Sequence, residues 1–446
     1  LDATPTLLGK TVEELFVLGI LNVEGAVRGS LAAPEPDVTL RLEDGVVFTP
    51  ATIYPITAIQ IDANVDSKRV ELRSLTAEYA RGKIAASGGA PFAVLLGEEP
   101  ADGAGEDLAA SLRLTIDGLD LETLDVIPEG GGTVSLALDA RAPRPTLEAL
   151  TATLEIPQLS LRIRDLRLDQ VEPGRMAIAN SQLSVETFHL SGPRTDIRLA
   201  GTVGLAGERP LDLRLDLDAD AAVAGYLLDN PRFSGPVEAH VAIAGVLDDP
   251  VLDGSLAIRG GTFSLESPRL DSERFDLALR FDRERIEIET LSASVNGGQL
   301  TGSGGLGYRG GVQNVDVSLR AEGLFLDFPE GLRTLSSTDV RLRSVEDNLI
   351  RLDGEVKIDE GSFREPIDLE SQALAFLRSG GALDFAQEPD PLLARLRYNL
   401  AIRTVDPILI DNNLARLEAR SDLRLVGTYY RPSIVGRVEL EEGGEI

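Results

Sequence analysis

One stretch of the sequence decides the fold class: Leu211-Asp212-Leu213-Arg214-Leu215-Asp216-Leu217, in which leucine alternates with charge at every step. Successive side chains of a β-strand point to opposite faces of its sheet. This stretch therefore predicts a strand with one aliphatic face and one charged face. An antiparallel sheet with one dry side and one wet side has this pattern.

The same period of two recurs along the whole chain. Phe275–Phe281 and Leu396–Ile402 alternate in the same way. Shorter runs lie at Val38–Leu42, Leu112–Ile116, Leu159–Ile163, Val315–Leu319, Val356–Ile358, Leu423–Leu425 and Val438–Leu440. The 44 glycines and 24 prolines punctuate these runs as turns. We predict an all-β, elongated and repetitive sheet protein with an aliphatic interior, a charged exterior and few short helices.

Helix signals are weak and short. Thr11 to Glu14 resembles a capping box, which predicts a short helix near 11–18. Further helical turns are expected at 221–229, 329–335 and 370–378. We expect the least ordered stretches at 97–107 and 378–391.

Composition excludes several classes of protein. The 446 residues include 73 Asp and Glu against 43 Lys and Arg, a net charge of −30. A surface this acidic repels phosphate backbones, so nucleic acid is not expected as a partner. There is no cysteine, which removes disulfides and thiolate chemistry. No apolar run approaches the ~18 residues that a transmembrane helix needs. Because the chain starts at Leu1 and stops just after a strand pattern, we interpret it as an internal fragment.

The chain repeats itself. Five residues recur in the same order and at one constant spacing: Gly45, Arg69, Leu75, Gly82 and Gly88 reappear as Gly261, Arg285, Leu291, Gly298 and Gly304. Two closer echoes join Leu252–Phe263 to Leu352–Phe363 and Gly245–Gly254 to Gly427–Gly436. Because the three echoes are spaced differently, the repeating unit is a strand–turn–strand module with variable inserts. Stacked modules that contact mainly their neighbours are the simplest arrangement.

No group of residues predicts catalysis, a cofactor or a metal. His189 and His240 are the only histidines, and neither is expected to have a carboxylate partner in a loop. Asp216, Asp218 and Asp220 are expected on the solvated face of one strand, without the loop that calcium requires. Gly302–Gly307 matches G-x-G-x-x-G, but no helix follows it, so we expect a glycine-rich hairpin, as at 130–133. We predict that the protein is not an enzyme.

The aliphatic faces have two interpretations on periodicity alone. They could form an ordinary closed core, in a sandwich or a right-handed β-helix, or they could line an open groove for an apolar ligand. If the groove exists, its predicted lining is Val38, Leu40, Leu42, Leu112, Leu114, Ile116, Leu211, Leu213, Leu215, Leu217, Leu256, Ile258, Phe275, Leu277, Leu279, Phe281, Ile286, Ile288, Val315, Val317, Leu319, Val356, Ile358, Leu396, Tyr398, Leu400, Ile402, Leu423, Leu425, Val438 and Leu440.

Several phrases resemble the bacterial AsmA-like proteins, and most closely the TamB family of the translocation and assembly module. They lie at Val246–Phe263 and Ile286–Ala293, the latter leading into Gly297–Gly302. The most specific phrases are Ile408–Glu418, Asp422–Gly427 and Pro432–Gly436, which resemble the start of the family's C-terminal domain. The resemblance covers most of the chain and is clearest from about residue 150.

The resemblance implies a taco-like β-groove in the periplasm, anchored to the inner membrane by a transmembrane helix that lies outside this fragment. It implies two kinds of partner: phospholipid acyl chains and an outer-membrane barrel of the TamA or BamA type. We divide the chain into a groove segment at 1–145 and a continuing groove at 146–446 that enters the C-terminal domain, without a sharp boundary.

These expectations favour a bridge-like conduit that carries phospholipid between the two membranes and serves outer-membrane biogenesis. The alternative is a scaffold that assembles outer-membrane proteins or autotransporters by adding their strands to its sheet edge. A β-helical polysaccharide lyase is the third interpretation, but the sequence lacks the aromatic and charged cluster that it requires.

Overall fold

The computed structural model describes most of the chain. The described residues are 6–7, 10–11, 16–30, 33–49, 52–66, 68–91, 109–124, 130–144, 146–164, 166–226, 232–266, 269–328, 331–345, 348–364, 390–413 and 415–441. The stretches 97–107, 370–378 and 378–389 lie outside them, so the expectations made there stay predictions.

Nearly every described segment is a β-strand. The strands are β1 Thr6–Leu7, β2 Lys10–Thr11, β3 Phe16–Ser30, β4 Ala33–Phe48, β5 Ile56–Asp66, β6 Arg69–Tyr79, β7 Gly82–Pro91, β8 Ala110–Asp120, β9 Gly130–Ala142, β10 Thr151–Ile163, β11 Leu166–Gln170, β12 Gly174–Ala179, β13 Gln182–Thr187, β14 His189–Gly192, β15 Thr195–Gly204, β16 Leu211–Asp220, β17 Arg232–Ser234, β18 Pro236–Val246, β19 Asp249–Leu265, β20 Leu270–Asp282, β21 Arg285–Val295, β22 Gly298–Gly307, β23 Gln313–Asp327, β24 Leu332–Ser344, β25 Ile350–Phe363, β26 Leu396–Thr404, β27 Ile408–Asp411, β28 Arg416–Thr428 and β29 Pro432–Leu440.

The predicted fold class is confirmed. Strands β3 to β29 belong to one mixed sheet of 27 strands, and β1 pairs only with β2. In the part of the chain that the structure describes, helical structure is limited to 3₁₀ turns: Leu121–Leu124, Leu147–Ala149, Ala221–Tyr226 and Leu393–Arg395.

The helix predictions were mixed. The turn expected at 221–229 is present as Ala221–Tyr226. The helix expected near 11–18 is wrong at its described residues, because Phe16 opens the long strand β3. The turn expected at 329–335 is also wrong, because Leu332 opens β24. In both places pairing with a neighbouring strand outweighs a weak local signal.

The chain divides into two compact units. Unit 1 comprises Leu1–Leu217 with Ile243–Asp248, and unit 2 comprises Asp218–Ala242 with Asp249–Ile446. This division separates groups of residues that contact one another. The division predicted at residue 145, between a groove segment and its continuation into the C-terminal domain, stays a prediction.

In unit 1 the strands follow one another as an antiparallel meander. Strands β3 to β10 pair in chain order, β10 then pairs with both β11 and β12, and β13 and β14 both pair with β15. Because sequential hairpins need only short connections, two residues suffice at several of them, such as Ala80-Arg81 between β6 and β7 and Asn180-Ser181 between β12 and β13.

In unit 2 the strands from β19 to β25 pair antiparallel in chain order, and the next pairing is parallel. Strand β25 pairs in parallel with β26 and with β27, which makes the sheet mixed. Strand β28 pairs with β26 and β27 and then with β29. A parallel pair requires a long connection, and here the chain between β25 and β26 spans Arg364 to Arg395.

The repeat that joins Gly45 to Gly261 in the sequence is a repeat of structure. We call β4–β7 the first module and β19–β22 the second module. Strands β6 and β7 begin at Arg69 and Gly82, and β21 and β22 begin at their counterparts Arg285 and Gly298. The register also shifts at the same places, in β4 and β19 after Leu42 and Ile258, and again in the middle of β5 and β20.

The charged face of the sheet carries cross-strand ion pairs. In unit 1 Arg113 and Asp139 are 2.8 Å apart. In unit 2 Arg341 and Asp316 are 2.6 Å apart, and Arg320 and Asp339 are 2.7 Å apart. Each pair is well exposed and contributes little stability on its own. Their role is to keep one face of the sheet wet.

One of the two glycine-rich motifs was placed correctly. Gly302, Gly304 and Gly307 lie in β22, which forms a hairpin with β23 as predicted. Gly130 to Thr133 open strand β9, so the hairpin turn expected there is wrong. Glycine is required in β22 for a close approach between strands: a Cβ on Gly304 would collide with the carbonyl oxygen of Asp316, and φ is +120°.

Candidate functional site

The aliphatic side chains of unit 1 share one face and meet from strand to strand. Residues directly opposite each other on paired strands lie on the same face. One such row crosses unit 1 without a polar residue. It comprises Val23, Leu40, Ala63, Leu72, Gly88, Leu112, Ala140, Ala152, Ile178, Leu183 and Val203.

A bulge keeps two leucines of β6 on this face. The register shifts between Leu72 and Leu75, and the residues between them, Arg73 and Ser74, are exposed. A bulge adds one residue and so moves the next side chain to the same side. Ile288 and Leu291 of the second module flank exposed Glu289 and Thr290 in the same way.

Most of the larger side chains on this apolar face are half-buried rather than buried. Leu40, Leu72, Ile178 and Leu183 all keep intermediate exposure, and Leu112 is 41% exposed, whereas the small residues Ala63 and Ala152 are buried. Residues of a packed core are usually fully covered. The aliphatic surface of unit 1 is therefore left partly open by its own chain.

A groove of about 520 Å³ lies on this face at one end of strands β5–β9. Its lining is almost wholly apolar and its floor is built from small residues. The lining residues are Ala63, Val70, Leu72, Gly88, Gly89, Ala90, Ala110, Ser111, Leu112, Ala140, Arg141, Ala142 and Leu150. The volume falls in the range of ordinary ligand pockets, ~300–1,000 Å³.

The opposite end of the same strands is closed. Ile59, Ala77, Tyr79 and Leu119 are between 3% and 7% exposed. The Tyr79 hydroxyl donates a buried hydrogen bond of 2.8 Å to the carbonyl oxygen of Thr123, in the 3₁₀ turn that follows β8. We call these four residues the closed end of unit 1. The apolar face thus has a self-packed end and an open end.

Unit 2 has a corresponding apolar face and a larger packed cluster. One row on it comprises Leu256, Leu279, Ile288, Gly304, Val317, Leu342, Leu352 and Tyr398. The packed cluster contains Ala221, Val237, Ile258, Phe275, Ala293 and Val295. Phe263 and Phe275 meet edge to face with centroids 5.4 Å apart, and Phe233 packs on both.

The predicted lining residues fall into three groups. Leu211, Ile258, Phe275, Val315, Ile358 and Leu400 are buried, and Leu112, Val438 and Leu440 are exposed. The others keep intermediate exposure. Of the predicted set, Leu112 lines the groove directly. Contact of any of these side chains with a ligand stays a prediction.

Sequence reasoning missed the floor of the groove. Ala63, Gly88, Ala90, Ala110, Ala140 and Ala142 were not predicted as lining residues, although they build most of it. A signal was available in Ala140-Arg141-Ala142, where small apolar residues alternate with charge as leucines do elsewhere. Small residues leave space only where larger neighbours surround them, and the cross-strand register decides that.

Two polar groups have defined partners, and one of them differs from its predicted setting. His189 lies in a strand, not in a loop, and its Nε2 is 2.7 Å from Asp196 on the neighbouring strand. Asp220 is not solvated. It is 8% exposed and accepts hydrogen bonds from the backbone N–H groups of Ala222 and Gly235, so it fixes the turn after β16. Both arrangements are structural.

The most perturbed carboxyl group lies on the charged face of unit 2. Partial burial would raise the pKa of Asp353, but hydrogen bonds from Asn399, Arg351 and Arg343 outweigh it and hold this pKa at about 2. The group is therefore a permanently charged junction between β24, β25 and β26. It has no feature of a proton-transfer site.

Among the described residues, His, Asp and Glu form no group of three or more that could hold a metal ion. In the described ranges, no helix has the length and apolar character needed to cross a bilayer.

Comparison with known proteins gives one match. Residues 289–445 match the family model of the TamB C-terminal domain. The chain matches none of the curated proteins and none of the solved structures with which it was compared. The matched segment begins within β21 and includes β22 to β29, which are the strands that carry the phrases at Ile408–Glu418 and Pro432–Gly436. Residues 289–445 therefore form a TamB C-terminal domain, which supports a TamB-family protein.

Proposed function

We propose that the chain is a periplasmic segment of a lipid conduit in which phospholipid acyl chains lie on the aliphatic face of the sheet. One observation carries the proposal: the row from Val23 to Val203 stays partly open, and its middle part, from Ala63 to Ala140, lines the apolar groove. The TamB C-terminal domain at residues 289–445 supports a role in outer-membrane assembly or lipid transport.

The physical chemistry of the groove suits hydrocarbon. Covering aliphatic surface stabilises a bound chain by about 0.8 kcal/mol for each methylene group taken out of water. Apart from Ser111 and Arg141, the lining residues are Ala, Val, Leu and Gly, which offer no side-chain hydrogen bond, so a tail is free to slide along them. The proposal assigns no catalytic step and no cofactor to the chain.

Photocrosslinking tests the proposal. A photoreactive residue at Leu112, which lines the groove, is expected to crosslink to lipid in cells, and the purified chain is expected to release phospholipid on extraction. The matched control is Arg113, the next residue, whose side chain pairs with Asp139 on the charged face. Lipid on neither position, or equal labelling of both, would contradict the proposal.

A second candidate function is favoured by the edge strand β3. Its side chains Phe16, Leu18, Ile20, Leu21 and Val27 are 60–67% exposed, and an exposed apolar edge is a template for another strand. In this function the edge accepts strands of nascent outer-membrane proteins, and an outer-membrane barrel of the TamA or BamA type is the partner. Protein crosslinks from Ile20 together with no lipid at Leu112 would favour it over the conduit.

A further inference from the structure

The two modules share a backbone but differ in side-chain size at the groove. Ala63 and Ala90 of the first module correspond to Leu279 and Leu306 of the second, at the same constant spacing as the repeated glycines. The cross-strand neighbours are equivalent as well. Ala63 lies between Leu40 and Leu72, and Leu279 lies between Leu256 and Ile288.

The same relation holds at the second position. Ala90 is paired with Val70, and Leu306 is paired with Ile286. In the first module Ala63, Val70 and Ala90 all line the groove. At every one of these three positions the second module has a larger aliphatic residue. The second module therefore fills with its own side chains part of the space that the first module leaves empty.

The two arginines next to the groove do not distinguish the first module. Arg141 is among the lining residues, but its guanidinium shares Asp139 with Arg113 on the charged face. The guanidinium of Arg69 lies against Gly89, another lining residue, and its Nη2 donates a 3.5 Å hydrogen bond to the carbonyl oxygen of Ala109. Because both arginines have protein partners, the space left by the small apolar residues is the feature that sets this module apart.

We propose that Ala63 and Ala90 determine where a tail binds: the first module holds the acyl chain of a phospholipid, and the second module excludes it at the equivalent positions. This inference rests on the proposed function and localises it. It requires that exchanging alanine and leucine at these positions between the modules should move or abolish the site where the acyl chain binds, without changing the fold.

The test exchanges the residues. The double variant A63L/A90L gives the first module the side chains that the second accommodates on the same backbone. The reverse variant L279A/L306A opens the second module. A85L adds the same volume to exposed Ala85 of β7 and is the matched control. The readout is lipid crosslinking from Leu112 in the first case and from Val317 in the second, in the full chain purified from cells, with mass spectrometry of the crosslinked lipid.

The expected results are specific. A63L/A90L should lower the yield at Leu112 about tenfold, as when roughly two methylene groups of the ligand lose their place, while A85L leaves it unchanged. L279A/L306A should raise the yield at Val317. Unchanged yield at Leu112 in A63L/A90L, or an equal loss in A85L, overturns the inference while leaving the conduit intact. No lipid at Leu112 in the unmodified chain overturns the conduit itself.

Discussion

At the scale of single residues, glycine sets how closely the strands approach. Gly304 has a φ of +120°, and a Cβ there would meet the carbonyl oxygen of Asp316 on the next strand. Gly88, its counterpart in the first module, would similarly meet Ser111. A side chain at either position must push two strands apart.

We therefore expect Gly304→Ala to lower the free energy of unfolding by about 2 kcal/mol or more. Urea denaturation followed by circular dichroism measures this. Ser303→Ala, at the exposed neighbouring position, is the control and should change stability by less than about 0.5 kcal/mol. Equal midpoints for the two variants would show that the strands are not in close contact at Gly304.

Asp353 gives the sheet a defined response to acid. Its folded pKa of about 2 lies below the ordinary value of 3.8, so its ionised form stabilises the fold above pH 4. That stabilisation, at most about 2 kcal/mol, should be lost as the pH falls from 4 towards 2. Asp353→Asn should therefore flatten the pH dependence of unfolding in this window. Identical slopes for variant and parent would contradict the assignment.

Sequence alone predicted which side chains share the apolar face of a strand, because the alternation is visible in consecutive residues. It could not predict that Asp220 is buried, since the backbone N–H of Gly235 that it binds comes from a later segment. It also could not place the groove floor. Ala63 and Ala140 are brought onto one row only by the successive pairings of strands β5 to β9.

At the scale of strands and turns, the closed end of unit 1 depends on a hydrogen bond between β6 and the turn after β8. Tyr79→Phe removes the donor and leaves the Thr123 carbonyl oxygen without this partner. We expect a loss of about 1–2 kcal/mol in unfolding free energy, measured by chemical denaturation, with lipid crosslinking at Leu112 retained. Loss of crosslinking at unchanged stability would contradict a purely structural role.

The edge strand β3 should govern self-association. Ile20 is 60% exposed, and a lysine on an edge strand discourages pairing with other chains. Ile20→Lys should reduce concentration-dependent association in sedimentation velocity, whereas Arg28→Lys, which keeps the charge on the same strand, should not. Equal association of both variants would show that the chain does not self-associate through β3.

The repeat was visible at this scale in the sequence, and the structure explains where it ends. Strands β6 and β21 correspond residue for residue, and their bulges start at the equivalent residues Leu72 and Ile288. The constant spacing stops after β7 and β22, because different inserts follow: β8 starts at Ala110 and β23 at Gln313. The failed helix at Leu332 shows the limit of local signals, since the mostly polar run from Thr334 to Asp339 pairs in strand β24.

At the scale of the molecule, the central feature is an apolar face that the chain does not cover completely. A closed core would hide this face, whereas a conduit needs it available to hydrocarbon. Large exposed apolar surfaces on soluble chains usually mark binding sites. On the same strands of unit 1, the partly open row is available to hydrocarbon, whereas the buried closed end packs against the chain itself.

The most direct measurement compares two aspartates placed on strand β6. Leu72→Asp changes the half-buried groove lining, and Ala77→Asp changes the closed end, where Ala77 is 6% exposed. An open face predicts that Leu72→Asp stays folded by circular dichroism but loses crosslinked and extractable lipid. It also predicts that Ala77→Asp costs about 3 kcal/mol or more, as for an unpaired buried charge. If Leu72→Asp unfolds the protein as Ala77→Asp does, the face is a closed core and the conduit is wrong.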